Sequence, residues 1–73
     1  MAVMETFSLG GRPYVTLSNL LKLLGWSESG GAAKHLIGDG EVMVDGQPEA
    51  RKKCKLVAGQ VVSCNGQQVQ ISA

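Results

Sequence analysis

Asn65-Gly66 constrains this chain more than any other pair of residues in it. An Asn-Gly pair between alternating segments marks a two-residue hairpin, because both central residues of that turn take positive φ. Val61 to Cys64 precedes the pair and Gln67 to Ile71 succeeds it. A two-residue loop then sets Val62 opposite Val69 and Cys64 opposite Gln67, and side chains alternate between faces along each strand. Val62, Cys64, Val69 and Ile71 therefore share one face, while Val61, Ser63, Gln68 and Gln70 share the other. The first set is apolar and needs cover, so other elements must lie on it.

Asp45-Gly46 gives the same hairpin signal earlier in the chain. Val42 and Val44 alternate with Glu41 and Met43, as in a half-buried strand. Gln47-Pro48-Glu49 is the return, and Pro48, which cannot donate to a ladder, confines it to an edge. Near the start, Glu5-Thr6-Phe7-Ser8-Leu9 also alternates, with Phe7 and Leu9 on one face. Met1 to Met4 is expected to fray. Gly10-Gly11-Arg12-Pro13 reads as a turn, and Tyr14-Val15 as an extended entry to the first helix.

Two helices supply the cover. Leu17, Leu20, Leu21 and Leu24 have the spacing of one buried helical face, with Ser18, Asn19 and Lys22 on the other side. Thr16 is placed to cap this helix with its hydroxyl, and Gly25 suits the left-handed residue just past its end. Trp26 reads as a core anchor between the helices, since one isolated Trp is not a stacking array. Ser29 caps the second helix, whose buried face is Ala32, Ala33, Leu36 and Ile37. Lys34 and His35 point outward. Gly30 and Gly31 stand in the first turn, where glycine costs up to about 1 kcal/mol each against alanine. Two readings account for them: close approach of the neighbouring helix, which we favour, and a phosphate resting on the bare N–H groups of the helix start. Gly38-Asp39-Gly40 ends the helix and reverses the chain. The sum is an α+β domain: two short N-terminal helices packed on a small, mostly antiparallel sheet of three to five strands.

With 73 residues the chain is expected to be a single domain over 1–73, with its core within about 6–71. A domain this small has no room for separate substrate and cofactor units. No apolar run approaches the roughly 20 residues of a membrane span, and no signal peptide is evident, so the expected location is cytoplasmic. Cys54 and Cys64 are the only cysteines and His35 the only histidine, too few for a zinc site. The thiols are expected to be unpaired, one buried and one partly exposed. No nucleophile–base pair, carboxylate pair, metal cluster or phosphate-cradling loop is recognisable, so no catalysis, cofactor or small-molecule substrate is expected.

Net charge is only +1, but four of the seven Lys and Arg residues lie between Arg51 and Lys55. A concentrated basic patch attracts polyanions locally even on a near-neutral chain. In an extended chain Arg51, Lys53 and Lys55 would share one face, with Lys52 and Cys54 on the other. Alone, such a run is as compatible with a solvated face as with a binding one. Phe7, Tyr14 and Trp26 are the only aromatics, and none falls within the basic run.

The order Ser-Gly-Gly-Ala-Ala-Lys from Ser29, an apolar pair, Gly40-x-Val-x-Val-Asp-Gly46, Glu49-x-Arg-Lys-Lys and Lys55-Leu-x-x-Gly59 resembles the S-four RNA-binding domain. Within that family the chain is most similar to the small stand-alone bacterial members, the YbcJ-like proteins. The resemblance spans Thr6 to Ile71, with Ser29 to Gly59 as its most specific part. It implies the αL arrangement, in which two helices and the next strand form an L-shaped unit with a basic face for structured RNA, ribosomal or tRNA-like. Lys34 matches the basic residue of the second helix, and Arg51, Lys52, Lys53 and Lys55 match the basic run after the hairpin. Gly40 and Gly46 match the turn glycines. The first helix departs from the family: Leu17-Ser18-Asn19 stands where many members carry Arg-Leu-Asp, leaving no cation there. Asp45 stands where Asn is common, and Gln60 where Asp is common.

The expected RNA contacts are thus Lys34, Arg51, Lys52, Lys53 and Lys55, joined by His35 as a surface histidine beside the patch and by Gly30 and Gly31 through the helix start. RNA phosphates are bound by such cations with counterion release, and double-stranded RNA is read mainly by shape and backbone. A competing reading makes the chain a protein-interaction module, with Val61, Met43 or the leucines as the contact.

Overall fold

The computed structural model describes residues 4–73. In chain order the elements are β1 (Met4–Ser8), β2 (Val15–Thr16), α1 (Leu17–Leu23), α2 (Gly30–Gly38), β3 (Val42–Val44), β4 (Gln47–Pro48), β5 (Lys55–Leu56), β6 (Val61–Cys64) and β7 (Gln67–Ser72). Five strands form one sheet in the order β1-β7-β6-β3-β4, while β2 and β5 pair separately.

The last hairpin has the expected register, Val62 opposite Val69 and Cys64 opposite Gln67. Its inner face, Val62, Cys64, Val69 and Ile71, is buried. Asn65 and Asp45 both take positive φ, 52° and 53°, each succeeded by a glycine at positive φ, so both turns have the required left-handed pairs. Asp45 also ties its turn to the next strand, its Oδ1 accepting from the Val61 N–H at 2.9 Å. β4 lies at the sheet edge, as Pro48 demands. At the other edge β1 runs parallel to β7, with Phe7 beside Ile71. Met4 is part of that strand rather than frayed; the rest of the expected fray lies outside the described residues.

A seven-residue helix is too short to persist alone in water, so α1 depends on packing. Leu17, Leu20 and Leu21 are fully buried, each contributing about 1.5–3 kcal/mol by leaving water. Leu24 and Trp26 are half-buried against the same core, and Gly25 takes the left-handed conformation at φ 77°. On α2, Ala33 and Ile37 are buried, Ala32 and Leu36 half-buried, and Lys34 and His35 exposed. Ser29 caps α2 as expected, accepting from the Ala32 N–H at 3.2 Å.

Three local expectations are overturned. Thr16 occupies the cap position of α1, but its hydroxyl makes no capping bond. The Leu17 and Ser18 N–H groups instead donate to the carbonyls of Cys54 and Lys52, at 2.9 and 3.0 Å, which leaves the hydroxyl no task. Gly30 and Gly31 are not explained by helix contact. A Cβ at Gly30 would meet nothing within 4 Å, and one at Gly31 only the Ser29 hydroxyl at 3.8 Å. The run from Arg51 is not an extended strand either. The Cys54 N–H donates to the Arg51 carbonyl at 3.1 Å, closing a turn with Lys52 and Lys53 at its tip. Arg51, Lys53 and Lys55 therefore do not alternate onto one strand face.

Candidate nucleic-acid interface

The carbonyls that cap α1 also position the basic segment. Cys54 and Lys52 are held to the helix start, Lys55 and Leu56 pair with Thr16 and Val15, and Leu56 is fully buried. Fixed at both ends, the turn carries Lys52 and Lys53 on its tip and faces α2. Between turn and helix runs an open groove lined by Lys34, Ile37 and Gly38 on one side and residues 50–55 on the other. All five expected cations, Lys34, Arg51, Lys52, Lys53 and Lys55, meet there. His35 is exposed but lies outside the groove, as do Gly30 and Gly31.

One of the five is already paired. Arg51 donates from Nε to Glu49 Oε1 at 3.0 Å and from its second guanidinium nitrogen to Oε2 at 3.1 Å, a two-pronged carboxylate contact. Its backbone N–H reaches Oε1 as well, at 3.1 Å. The Arg51 side-chain bonds, then its backbone N–H, lower the Glu49 carboxyl to about 2. Among the described residues this is the only salt bridge, so Lys34, Lys52, Lys53 and Lys55 face the groove without a carboxylate partner. Sequence reasoning missed Glu49, although a carboxylate two residues before Arg51, after a proline that ends pairing, was a visible signal.

Because the folded carboxyl titrates below its unfolded value near 4.3, the pair supports the fold fully above that value and is lost as pH falls towards 2. Glu49→Gln keeps an oxygen for the Arg51 N–H but removes the countercharge. We expect it to steepen the salt dependence of polyanion binding by about one phosphate contact and to raise affinity roughly fivefold at 0.1 M salt. Weaker binding by this variant would mean that Arg51 works only as Glu49 holds it.

Lys55 is held differently. Its Nζ lies 4.9 Å from the centre of the Tyr14 ring, a cation–π contact. This aromatic, remote in sequence from the basic run, is brought to its side by β2–β5 pairing. Cys54, half-buried in the groove wall, has its thiol pKa raised by burial first and by Glu49 second, so it stays protonated at neutral pH. Cys64 is buried in the core, and both thiols are free. Among the described residues no cluster of His, Cys, Asp and Glu could hold a metal, and no helix is long and apolar enough to cross a membrane.

The architecture and the sequence match known proteins over almost the full chain. The S4 domain profile matches residues 7–72. YbcJ of Escherichia coli (strain K12) is 60% identical over 70 residues, covering 96% of this chain and 100% of YbcJ. The solution structure of that protein, described as revealing an αL motif involved in RNA binding, superposes with a TM-score of 0.75 over 100% of this chain and 92% of its own. The "Probable ribosome maturation protein RlbA" of Bacillus subtilis (strain 168) is 40% identical over 52 residues, 71% of this chain and 73% of RlbA. Two helices leading into a mostly antiparallel sheet, the hairpin register and these matches agree: the chain belongs to the S4 domain family.

Proposed function

We propose that this protein binds structured RNA, non-catalytically, by seating a phosphate backbone in the groove between α2 and the 51–55 turn. The observation that carries the reading is the convergence of four lysines that have no carboxylate partner among the described residues: Lys34 on α2, and Lys52, Lys53 and Lys55 on backbone tied to both a helix start and a strand pair. Fixed cations lose less conformational freedom on binding than cations on a mobile tail. Lys34 faces the turn across the groove, Lys52 and Lys53 project from its tip, and Lys55 closes the side nearest Tyr14. Arg51 contributes only where a phosphate can compete with Glu49. His35, Gly30 and Gly31, set apart from the groove, have no assigned contact. The RNA-binding description of YbcJ and the ribosome-maturation name of RlbA support the reading and favour ribosomal RNA as the target class.

The test is a titration of a blunt RNA duplex and an unstructured single strand of equal length across a salt series. The duplex is expected to bind more tightly, with log affinity falling by about 3 to 4 per tenfold rise in salt, as for roughly four phosphate contacts. Equal or tighter binding of the single strand would overturn the structured-RNA reading. A flat salt response would overturn the groove as an electrostatic site.

A further inference from the structure

A second, smaller cleft adjoins the groove. Arg12, Pro13, Tyr14, Val15, Thr16 and Asn19 line it, where the extended β2 entry passes the exposed side of α1. Tyr14 is 39% exposed, unusual for so large a ring in a domain whose other aromatics pack against the core. The ring is the junction between the two surfaces, since it lines the cleft while Lys55, which touches it, lines the groove.

The chemistry of the cleft differs from that of the groove. The groove offers ammonium groups, which suit phosphate and carry no base information. The cleft offers an aromatic surface, apolar contact from Pro13, and the Asn19 amide, which presents both a donor and an acceptor. An aromatic ring beside a side-chain amide suits a splayed-out base, stacked on one face and hydrogen-bonded at its edge. Arg12 lends a positive rim without being mobile: its Nε donates to the Leu9 carbonyl at 2.8 Å, and its guanidinium lies 5.7 Å from the Phe7 ring centre.

We propose that this cleft is a nucleobase subsite, taking one unpaired base next to the RNA backbone seated in the groove, with Tyr14 stacking on the base and Asn19 meeting its edge. The proposal rests on the RNA-binding reading above and sharpens its target to a helix interrupted by an unpaired nucleotide. Lys55 then serves both surfaces, holding the phosphate beside the base it helps to place.

The test compares a blunt RNA duplex with duplexes carrying one unpaired adenine at successive positions, for the wild type and for Tyr14→Ala, Tyr14→Phe and Asn19→Ala. Thermal melts confirm that each variant is folded. Wild type is expected to prefer one bulged duplex on the order of tenfold, the range of base–aromatic stacking. Tyr14→Ala should abolish that preference while weakening the blunt duplex only slightly, by freeing Lys55, and Tyr14→Phe, which keeps a ring beside Lys55, should keep both the preference and the blunt-duplex affinity. Asn19→Ala should weaken it for adenine. With 2-aminopurine in the bulge, wild type but not Tyr14→Ala should quench the fluorescence. Blunt-duplex binding without any bulge preference would overturn the subsite and leave the groove reading intact. Equal weakening of all duplexes by Tyr14→Ala would make the ring only a prop for Lys55, and would also overturn it. Failure of every duplex to bind would overturn both readings.

Discussion

Replacing Lys34, Lys52 and Lys53 together by alanine is expected to lower affinity for duplex RNA on the order of a hundredfold at 0.1 M salt and to flatten its salt dependence. The size comes from counterion release. Each phosphate contact contributes about 0.7 to 0.9 to the slope of log affinity against log salt. Four contacts in the wild type make affinity fall roughly 50- to 150-fold between 50 and 200 mM salt. With only Lys55 left, the same change should cost about threefold. Surface lysines without partners contribute little to stability, so the melting temperature should barely move. That separation matters, because a charge run that is merely solvated gives the same melt but no change in binding. A variant that binds like wild type, with the slope intact, would remove the groove from the function.

The net charge of +1 makes the location of these cations decisive. Long-range attraction is weak for such a chain and is screened beyond about 8 Å at physiological salt. The fold supplies local density instead: Lys34 from one element, and Lys52, Lys53 and Lys55 from another, meet across one groove. Glu49 limits that density by occupying Arg51. A carboxylate takes the guanidinium fork much as a phosphate would, so RNA must either displace Glu49 or leave Arg51 aside.

The parts of this arrangement that were legible in the sequence are those governed by local rules. Two X-Gly turns set hairpin registers because φ at Asp45 and Asn65 is a local matter, and the leucine stripe of α1 comes from helical spacing. The unread parts depend on partners far along the chain. Thr16 looked like a cap because nothing near it showed that the carbonyls of Lys52 and Cys54 would take the helix donors first. The basic run looked extended because its alternation is sound as a pattern, whereas the turn at Lys52-Lys53 is imposed by the helix it must reach. Tyr14 had no visible link to the cations until β2 met β5. The exposed glycines of the α2 start have no packing reason in the structure.

The residue joining fold to groove is Leu56, and Leu56→Ala should have a large effect on stability. Its side chain is fully buried in the common core, while its backbone pairs with Val15 one residue beyond the basic turn. Truncating a buried leucine costs about 2–5 kcal/mol, transfer and cavity terms together. Against the roughly 5–15 kcal/mol typical of whole domains, that is a large share, and a domain of this size stands near the lower end. At about 4–8 °C per kcal/mol, the melting temperature should fall by on the order of 15 °C. A second consequence separates Leu56 from other core positions. Val69→Ala removes a fully buried side chain from the sheet without touching the basic turn, so below its melting temperature it should bind RNA as wild type does. Leu56→Ala loosens the strand pair that fixes Lys55 and the turn, so even its folded fraction should bind more weakly, with Tyr14 and Lys55 no longer held together. Comparing the two at a temperature where both are folded decides the point. Equal RNA affinity would mean that the carbonyl contacts to α1 alone hold the cations in place.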